Sequence, residues 1–319
     1  MKRVLITGAT GFCGRHLARY LASLGYGITG TYFLHHEAHS FSAGDLVRLN
    51  IQDARAVEAL VRKIRPDAVC HLAAQSSAQG SWHQEAETFR SNVVGTLHLL
   101  QGLRKFSPRA RFLLASTTQV YGKSFSEMSV ITEQSRLWPL NPYAASKVLA
   151  EFSCLDFAGR FGIPVLLARP FNHTGAGQAP SFVFPDWCRQ IALAEAGLRE
   201  PVLQVGNLEV ERDFLHVEDV VRAYELILRS GEPGRVYNVC TGQTRVLRDY
   251  ADFLLWKSEI RLALDFQADR MRTQELKIMR GSAARLRELG WEPRRTIFDA
   301  LEELLEDWRH RVRVQKEKA

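Results

Sequence analysis

Cysteine is scarce in this chain and carries no pattern. Five are scattered among 319 residues, Cys13, Cys70, Cys154, Cys188 and Cys240, with no C-x-x-C pair and no metal-type spacing. An odd, dispersed set fits reduced core thiols better than a disulfide framework, so neither a disulfide nor a metal site is expected. No apolar run approaches the roughly 18 residues that cross a bilayer. Met1-Lys2-Arg3 leads straight into a short apolar strand, not into the hydrophobic region of a signal peptide, and a cytoplasmic protein without a membrane partner is expected. Repeats, low-complexity tracts and a clean linker are missing too. The formal charge of +7 lacks the footprint of nucleic-acid binding, because Lys and Arg are spread along the chain and interleaved with acids, as between Glu302 and Arg313. A solvated surface, or attraction to a phosphate-bearing small molecule, is the better reading.

What is present starts with a core: 46% of the residues are hydrophobic, enough for one large or two modest domains. Arg3-Val4-Leu5-Ile6-Thr7 reads as a buried strand and runs directly into Gly8-Ala9-Thr10-Gly11-Phe12-Cys13-Gly14, which opens a helical pattern from His16 to Leu24. Glycines at 8, 11 and 14 let the backbone turn sharply, approach a pyrophosphate and pack helix on strand, while the helix start favours an anion. A second strand, residues 27–31, ends at Tyr32-Phe33, where a dinucleotide fold places an acid against the ribose 2′-hydroxyl of NAD. No acid stands there, and Arg15 offers a charge to a 2′-phosphate, so NADP is favoured and NAD stays open. Asn50-Ile51 are expected to flank the adenine, and Leu72-Ala73-Ala74 to line the cofactor with small residues. His71 reads as a packed strand-end residue.

Strands and helices continue to alternate, with a helix expected over residues 85–104. This predicts an α/β fold with a Rossmann-type, doubly wound parallel sheet. Residues 1–171 are expected to form the dinucleotide-binding domain, with segments at about 210–242 partly returning to it, and 172–319 a smaller C-terminal α/β lobe for substrate. Tyr143 and Lys147 share one face of a predicted helix at i, i+4, which sets an ammonium beside the phenol and lowers its pKa toward neutrality. Thr117, at the end of an apolar strand, offers a hydroxyl to the same substrate oxygen.

The glycine pattern at 8, 11 and 14, Leu72-Ala73-Ala74, Asn92, Thr117 with Tyr121-Gly122, and Tyr143 with Lys147 together resemble the extended short-chain dehydrogenase/reductase family that modifies nucleotide sugars. The resemblance runs over nearly the whole chain. It implies Thr117, Tyr143 and Lys147 as the catalytic set, with Lys147 also on the nicotinamide ribose, and adds Asn92 and Pro170 to the cofactor residues. Asn172, in Arg169-Pro170-Phe171-Asn172, is implied to contact the sugar nucleotide. Arg212 and Arg272 are implied on the diphosphate and Glu275 on a ribose, with Ser76, Thr118, Gln119, Val183, Gln204 and Asn238 as further substrate contacts. A homodimer through a four-helix bundle is implied as well.

Dehydratases of that family carry a Glu two positions after the catalytic Thr, because expelling water requires a second base. Here the residue is Gln119, a neutral amide that cannot act as a base. The pattern most resembles GDP-6-deoxy-4-keto-mannose reductases, which implies NAD(P)H-dependent reduction of a GDP-linked C4 ketone to GDP-D-rhamnose or its C4 epimer. The alternative is a C4 epimerase that retains NAD; a GDP-mannose 4,6-dehydratase or a catalytically idle dinucleotide-binding regulator fits less well.

Overall fold

Strands with apolar residues at successive positions need cover on both faces, which a parallel sheet between helices provides. The computed structural model describes residues 2–33, 41–270 and 276–317. In chain order the strands are β1 (Arg3–Thr7), β2 (Gly27–Tyr32), β3 (Asp45–Arg48), β4 (Ala68–His71), β5 (Arg111–Ala115), β6 (Val165–Pro170), β7 (Asn172–Thr174), β8 (Val202–Val205), β9 (Glu211–Arg212), β10 (Phe214–His216), β11 (Val236–Val239), β12 (Arg245–Val246), β13 (Ala263–Phe266) and β14 (Ile278–Met279). The helices are α1 (Phe12–Ser23), α2 (Ala54–Ile64), α3 (Ala78–Ser81), α4 (Glu85–Phe89), α5 (Gly95–Phe106), α6 (Pro142–Phe161), α7 (Val183–Glu195), α8 (Val217–Ser230), α9 (Leu247–Lys257), α10 (Ala284–Glu288) and α11 (Ile297–Glu317).

Among the described residues, one seven-stranded sheet runs in the order β11-β6-β5-β4-β1-β2-β3, with every pair parallel. This is the expected doubly wound α/β sheet. Side chains alternate across it: Val4 and Ile6 join a core with Leu17 of α1 and Tyr224 of α8, while Leu5 joins a core on the other face with Val57, Leu99 and Phe157 of α2, α5 and α6. A third apolar cluster, including Trp187, Leu203, Tyr250 and Leu304, unites α7, β8, α9 and α11. The chain comes back to the sheet late, when β11 pairs with β6 and α8 packs against α1.

Local chemistry explains the helix ends that matter. Asn141 caps α6 by accepting from the Ala144 N–H at 2.8 Å, Pro142 occupies the first turn, and Gly162 ends the helix at φ 68°. The expected helix over 85–104 is interrupted by a π-type turn at Arg90–Val94 between α4 and α5. The widened turn buries Asn92, whose side chain accepts from Gln75 N at 2.8 Å and donates to Ser146 Oγ at 2.9 Å.

The first turn depends on two glycines. Gly8 has φ 70°, and a Cβ on Gly14 would lie 2.1 Å from the Gly8 carbonyl oxygen. Gly14→Ala should therefore destabilise the protein by about 2 kcal/mol or more and abolish dinucleotide binding, as read by denaturant melts and by cofactor fluorescence titration.

Candidate active site

The end of β5 and the face of α6 build the site together. Residues 143, 147 and 151 recur at i, i+4 and i+8, so they line one side of α6, and each meets the strand end 115–117. The Thr117 hydroxyl lies near enough to the Tyr143 phenol to oppose the effect of burial on it, and it accepts from Gln119 N at 3.2 Å. The Lys147 ammonium donates to the Ala115 carbonyl at 2.8 Å. Ser116 Oγ donates to the Glu151 carboxylate. Ser81 Oγ accepts from Tyr143 N at 3.2 Å and steadies the start of the helix from the α3 side.

The electrostatics differ from the expected ion–phenol pairing. Burial pushes the Tyr143 phenol up to about 12, with the Thr117 hydrogen bond opposing the rise. The same burial pulls Lys147 down to about 8, against the Glu151 carboxylate, which favours its charged form. The correction has a geometric cause. Lys147 does share a face with Tyr143, but its ammonium is drawn to a strand carbonyl rather than to the phenolic oxygen.

Gln119 lies in a short 3-10 turn after β5, and its Oε1 accepts from Asn141 Nδ2 at 3.0 Å. Because the Asn141 oxygen is already committed to capping α6, its amide nitrogen faces Gln119, and the Gln119 Nε2 is left as a donor. Thr118 is buried and its hydroxyl has no hydrogen-bond partner among the described residues.

On the dinucleotide side, the Gly11 N–H donates to the Gly8 carbonyl at 3.1 Å, and among the described residues no side chain caps α1, which leaves the N–H groups of its first turn, from Phe12 to Gly14, without intrahelical partners. A Cβ on Gly8 would meet Ala73 N at 2.9 Å, which brings 72–74 against the glycine turn, and Leu72, Ala73 and Ala74 are all partly exposed. His71 is neutral packing: it hydrogen-bonds Thr7 Oγ1 at 2.7 Å and Thr96 Oγ1 at 3.0 Å, and burial lowers its pKa to about 3. Asn50 is exposed with its side chain accepting from Gln52 N, whereas Ile51 is buried in the core against Gly95. Thr10 and Pro170 are buried, the latter paired with Val239 at the sheet's edge. Arg15, expected at a 2′-phosphate, donates to the Gly177 carbonyl at 2.9 Å. The sequence reading missed Arg48, which closes β3 opposite Tyr32 and reaches the Phe33 carbonyl at 3.4 Å. Its register beside the β2 end was invisible until the two strands were paired.

Two of the expected contact residues are buried. Asn92 is 1% exposed and both of its polar atoms bond Gln75 and Ser146. Asn238 is fully buried, accepting from the Tyr121 hydroxyl at 2.7 Å and donating to the Ser282 carbonyl at 3.3 Å.

The other candidates fall on the second half or its border. Ser76 is exposed, Asn172 is partly exposed on β7, and Val183 begins α7. The Gln204 side chain accepts from Arg199 at 2.7 Å. Arg212 is buried, donating to the Glu211 and Lys277 carbonyls. Arg272 and Glu275 lie outside the described residues. Asp213 and Asp219 buttress loops: Asp213 accepts from Thr241 N and Gly242 N, and Asp219 from Arg294 N and Arg295 N.

With this geometry in place, comparison with known proteins is decisive. The family model described as GDP-mannose 4,6 dehydratase matches residues 5–304. The chain belongs to that family. It is 39% identical to GDP-6-deoxy-D-mannose reductase of Pseudomonas aeruginosa over 98% of this chain and 99% of that protein. The solved structure of RMD from Pseudomonas aeruginosa complexed with NADPH superposes with a TM-score of 0.84 at 37% identity, covering 98% of this chain and all of the other. A putative epimerase from Burkholderia cenocepacia matches with a TM-score of 0.86 at 31% identity, over 97% of this chain and 98% of that one. This family member is an NAD(P)-dependent enzyme of the extended short-chain dehydrogenase/reductase type.

Replacing Tyr143 by Phe removes the phenolic hydroxyl positioned against Thr117. Turnover should fall by about a hundredfold or more, the scale of positioned proton transfer, while dinucleotide affinity measured by fluorescence titration stays within about twofold. Unchanged turnover would exclude Tyr143 from the chemistry.

Proposed function

We propose that the chain reduces the C4 ketone of a GDP-linked 4-keto-6-deoxy-hexose, giving GDP-D-rhamnose or its C4 epimer, with NADPH as the reductant. The observation that carries this reading is Gln119, held by Asn141 where a dehydratase of the resembled family has a carboxylate. Elimination of water needs a second base, and an amide has no basic lone pair to offer. The 39% identity to a reductase over the full length of both chains supports it.

The nicotinamide, when bound, supplies a hydride. The residues of this chain do the rest. Tyr143, kept protonated at neutral pH by burial, delivers its proton to the C4 oxygen as negative charge develops there. Thr117 donates to the same oxygen, and Lys147, whose ammonium is held by the Ala115 carbonyl, would meet the nicotinamide ribose. A phenol held in its acid form suits the reductive direction, which consumes a proton. Gly8, Gly11 and Gly14, the uncapped start of α1 and the 72–74 segment would hold the dinucleotide; the close approach at Gly8 and Gly14, which leaves no room for a Cβ, fits such a cradle. Arg48 and Arg15 near the ribose end favour the 2′-phosphate of NADPH. Arg212, Asn172 and the segment from Val183 would meet the sugar nucleotide in the second half.

A homodimer belongs to the same reading. Leu149 and Phe152 are exposed on α6 and Val94 on the adjoining π-type turn, a cluster of large apolar groups on helices whose other faces are core. Glutamate at both 149 and 152 should convert a dimer to monomers, seen as a halved mass in light scattering; a parent protein that is already monomeric would overturn the assignment.

Offered a GDP-4-keto-6-deoxy sugar, the protein should consume one NADPH per sugar, read by absorbance and by mass spectrometry of the product. Given GDP-mannose and oxidised cofactor it should form no 4-keto product. Interconversion of two parent sugars with no net change in nicotinamide absorbance would instead establish an epimerase.

A further inference from the structure

The buried groups behind the triad form a connected network that the reaction as written does not use. Glu151 sits one turn beyond Lys147 and is 2% exposed. Its carboxylate takes two bonds from Arg169 of β6, Nε at 2.9 Å and Nη2 at 2.5 Å, and one from the Ser116 hydroxyl. Arg169 continues to the Tyr121 hydroxyl at 2.9 Å and stacks on that ring at 4.9 Å. Ser116 lies between Ala115, which holds Lys147, and Thr117, which holds Tyr143.

We propose that Glu151 is a positioning residue for the reduction, acting through Ser116 and Lys147: bound by Arg169, it locks the strand end 115–117 to α6 and sets its negative charge beside the Lys147 ammonium. The inference rests on the triad reading given above. Burial alone favours a neutral lysine, and the carboxylate opposes it. The other ionisable groups facing Lys147 do not replace that charge. Tyr143 and Cys154 on its own helix are held neutral by burial, and so is His71 from β4, while Arg169 from β6 is bound to the carboxylate itself. The bidentate ion pair carries more geometric information than one hydrogen bond, because it fixes the plane of the carboxylate as well as its distance.

The test compares pH profiles of kcat for ketone reduction. Activity that needs the Lys147 ammonium is lost as pH rises through its pKa. Removing a neighbouring negative charge lowers that pKa, so the alkaline limb should move to lower pH. Glu151→Gln leaves Arg169 unpaired in the interior, so Glu151→Gln with Arg169→Gln is the companion variant that removes both charges. In whichever folds, by circular dichroism, the limb should shift down by about one pH unit and kcat at pH 7.5 should fall about tenfold, with KM for the sugar nucleotide within about twofold. Glu151→Asp should recover the limb more than the rate, since it restores charge without reach. Ser116→Ala removes only a hydroxyl, and a several-fold loss in kcat at constant KM is expected even where neither Glu151 variant folds. A folded variant with the parent profile, or a fully active Ser116→Ala, overturns the inference. Tyr143→Phe separates the two readings: if it is inactive while the Glu151 variants match the parent, only the positioning role fails, and if it stays active the triad reading fails first.

Discussion

The ion pair between Glu151 and Arg169 ties together the three elements on which the site depends. Arg169 lies next to the last residue of β6, Glu151 lies inside α6, and through Ser116 the same carboxylate holds the end of β5. Deleting one partner of a buried pair strands a charge at a cost of about 3–5 kcal/mol, whereas replacing both is often neutral. Net stability is therefore a weak reason for such a pair. What it provides is register between α6, which carries the phenol and the ammonium, and the strand end that carries the Thr117 hydroxyl and the Ala115 carbonyl.

The same burial that makes the pair demanding sets the protonation states. Tyr143 rises to about 12 and Lys147 falls to about 8, both because the charged form is poorly solvated in this interior. The two shifts act in opposite senses on the chemistry. The phenol is retained as a proton donor, which reduction requires, while the ammonium must be defended by a neighbouring negative charge. Gln119 completes the division of labour. With its carbonyl held by Asn141 it presents a donor and no base.

The two halves of the molecule are joined near the glycine turn. Arg15 and His16 of α1 donate to or pair with the carbonyls of Gly177 and Ala176, and Phe12 stacks on His173 at 6.1 Å. The Gly177 N–H in turn donates to Asp307 of α11 at 2.9 Å. The helix that begins the dinucleotide cradle is thus bonded to the segment after β7 and, through it, to the third core cluster. Asp213 performs a comparable service for the 241–242 turn; burial lifts its pKa to about 6, with the Thr241 and Gly242 donors opposing.

Much of this was legible in the amino-acid order, because the signals are local. A strand, three glycines and a helix occupy one short stretch, and apolar runs separated by helical periods announce a parallel sheet. The i, i+4 spacing of Tyr143 and Lys147 is itself a statement of shared face, and Gln119 reports its missing charge without any coordinates. The contacts that were not foreseen have partners far away in sequence. Asn238 finds Tyr121 across 117 positions, Arg169 finds Glu151 across 18, and Arg48 is placed beside Tyr32 only by strand pairing. Asn92 reaches Gln75 and Ser146 only because the widened turn faces its amide inward. Backbone propensity and periodicity act over a few residues and survive in the sequence; hydrogen-bond saturation and burial depend on which distant groups arrive at the same place, and only the folded chain decides that.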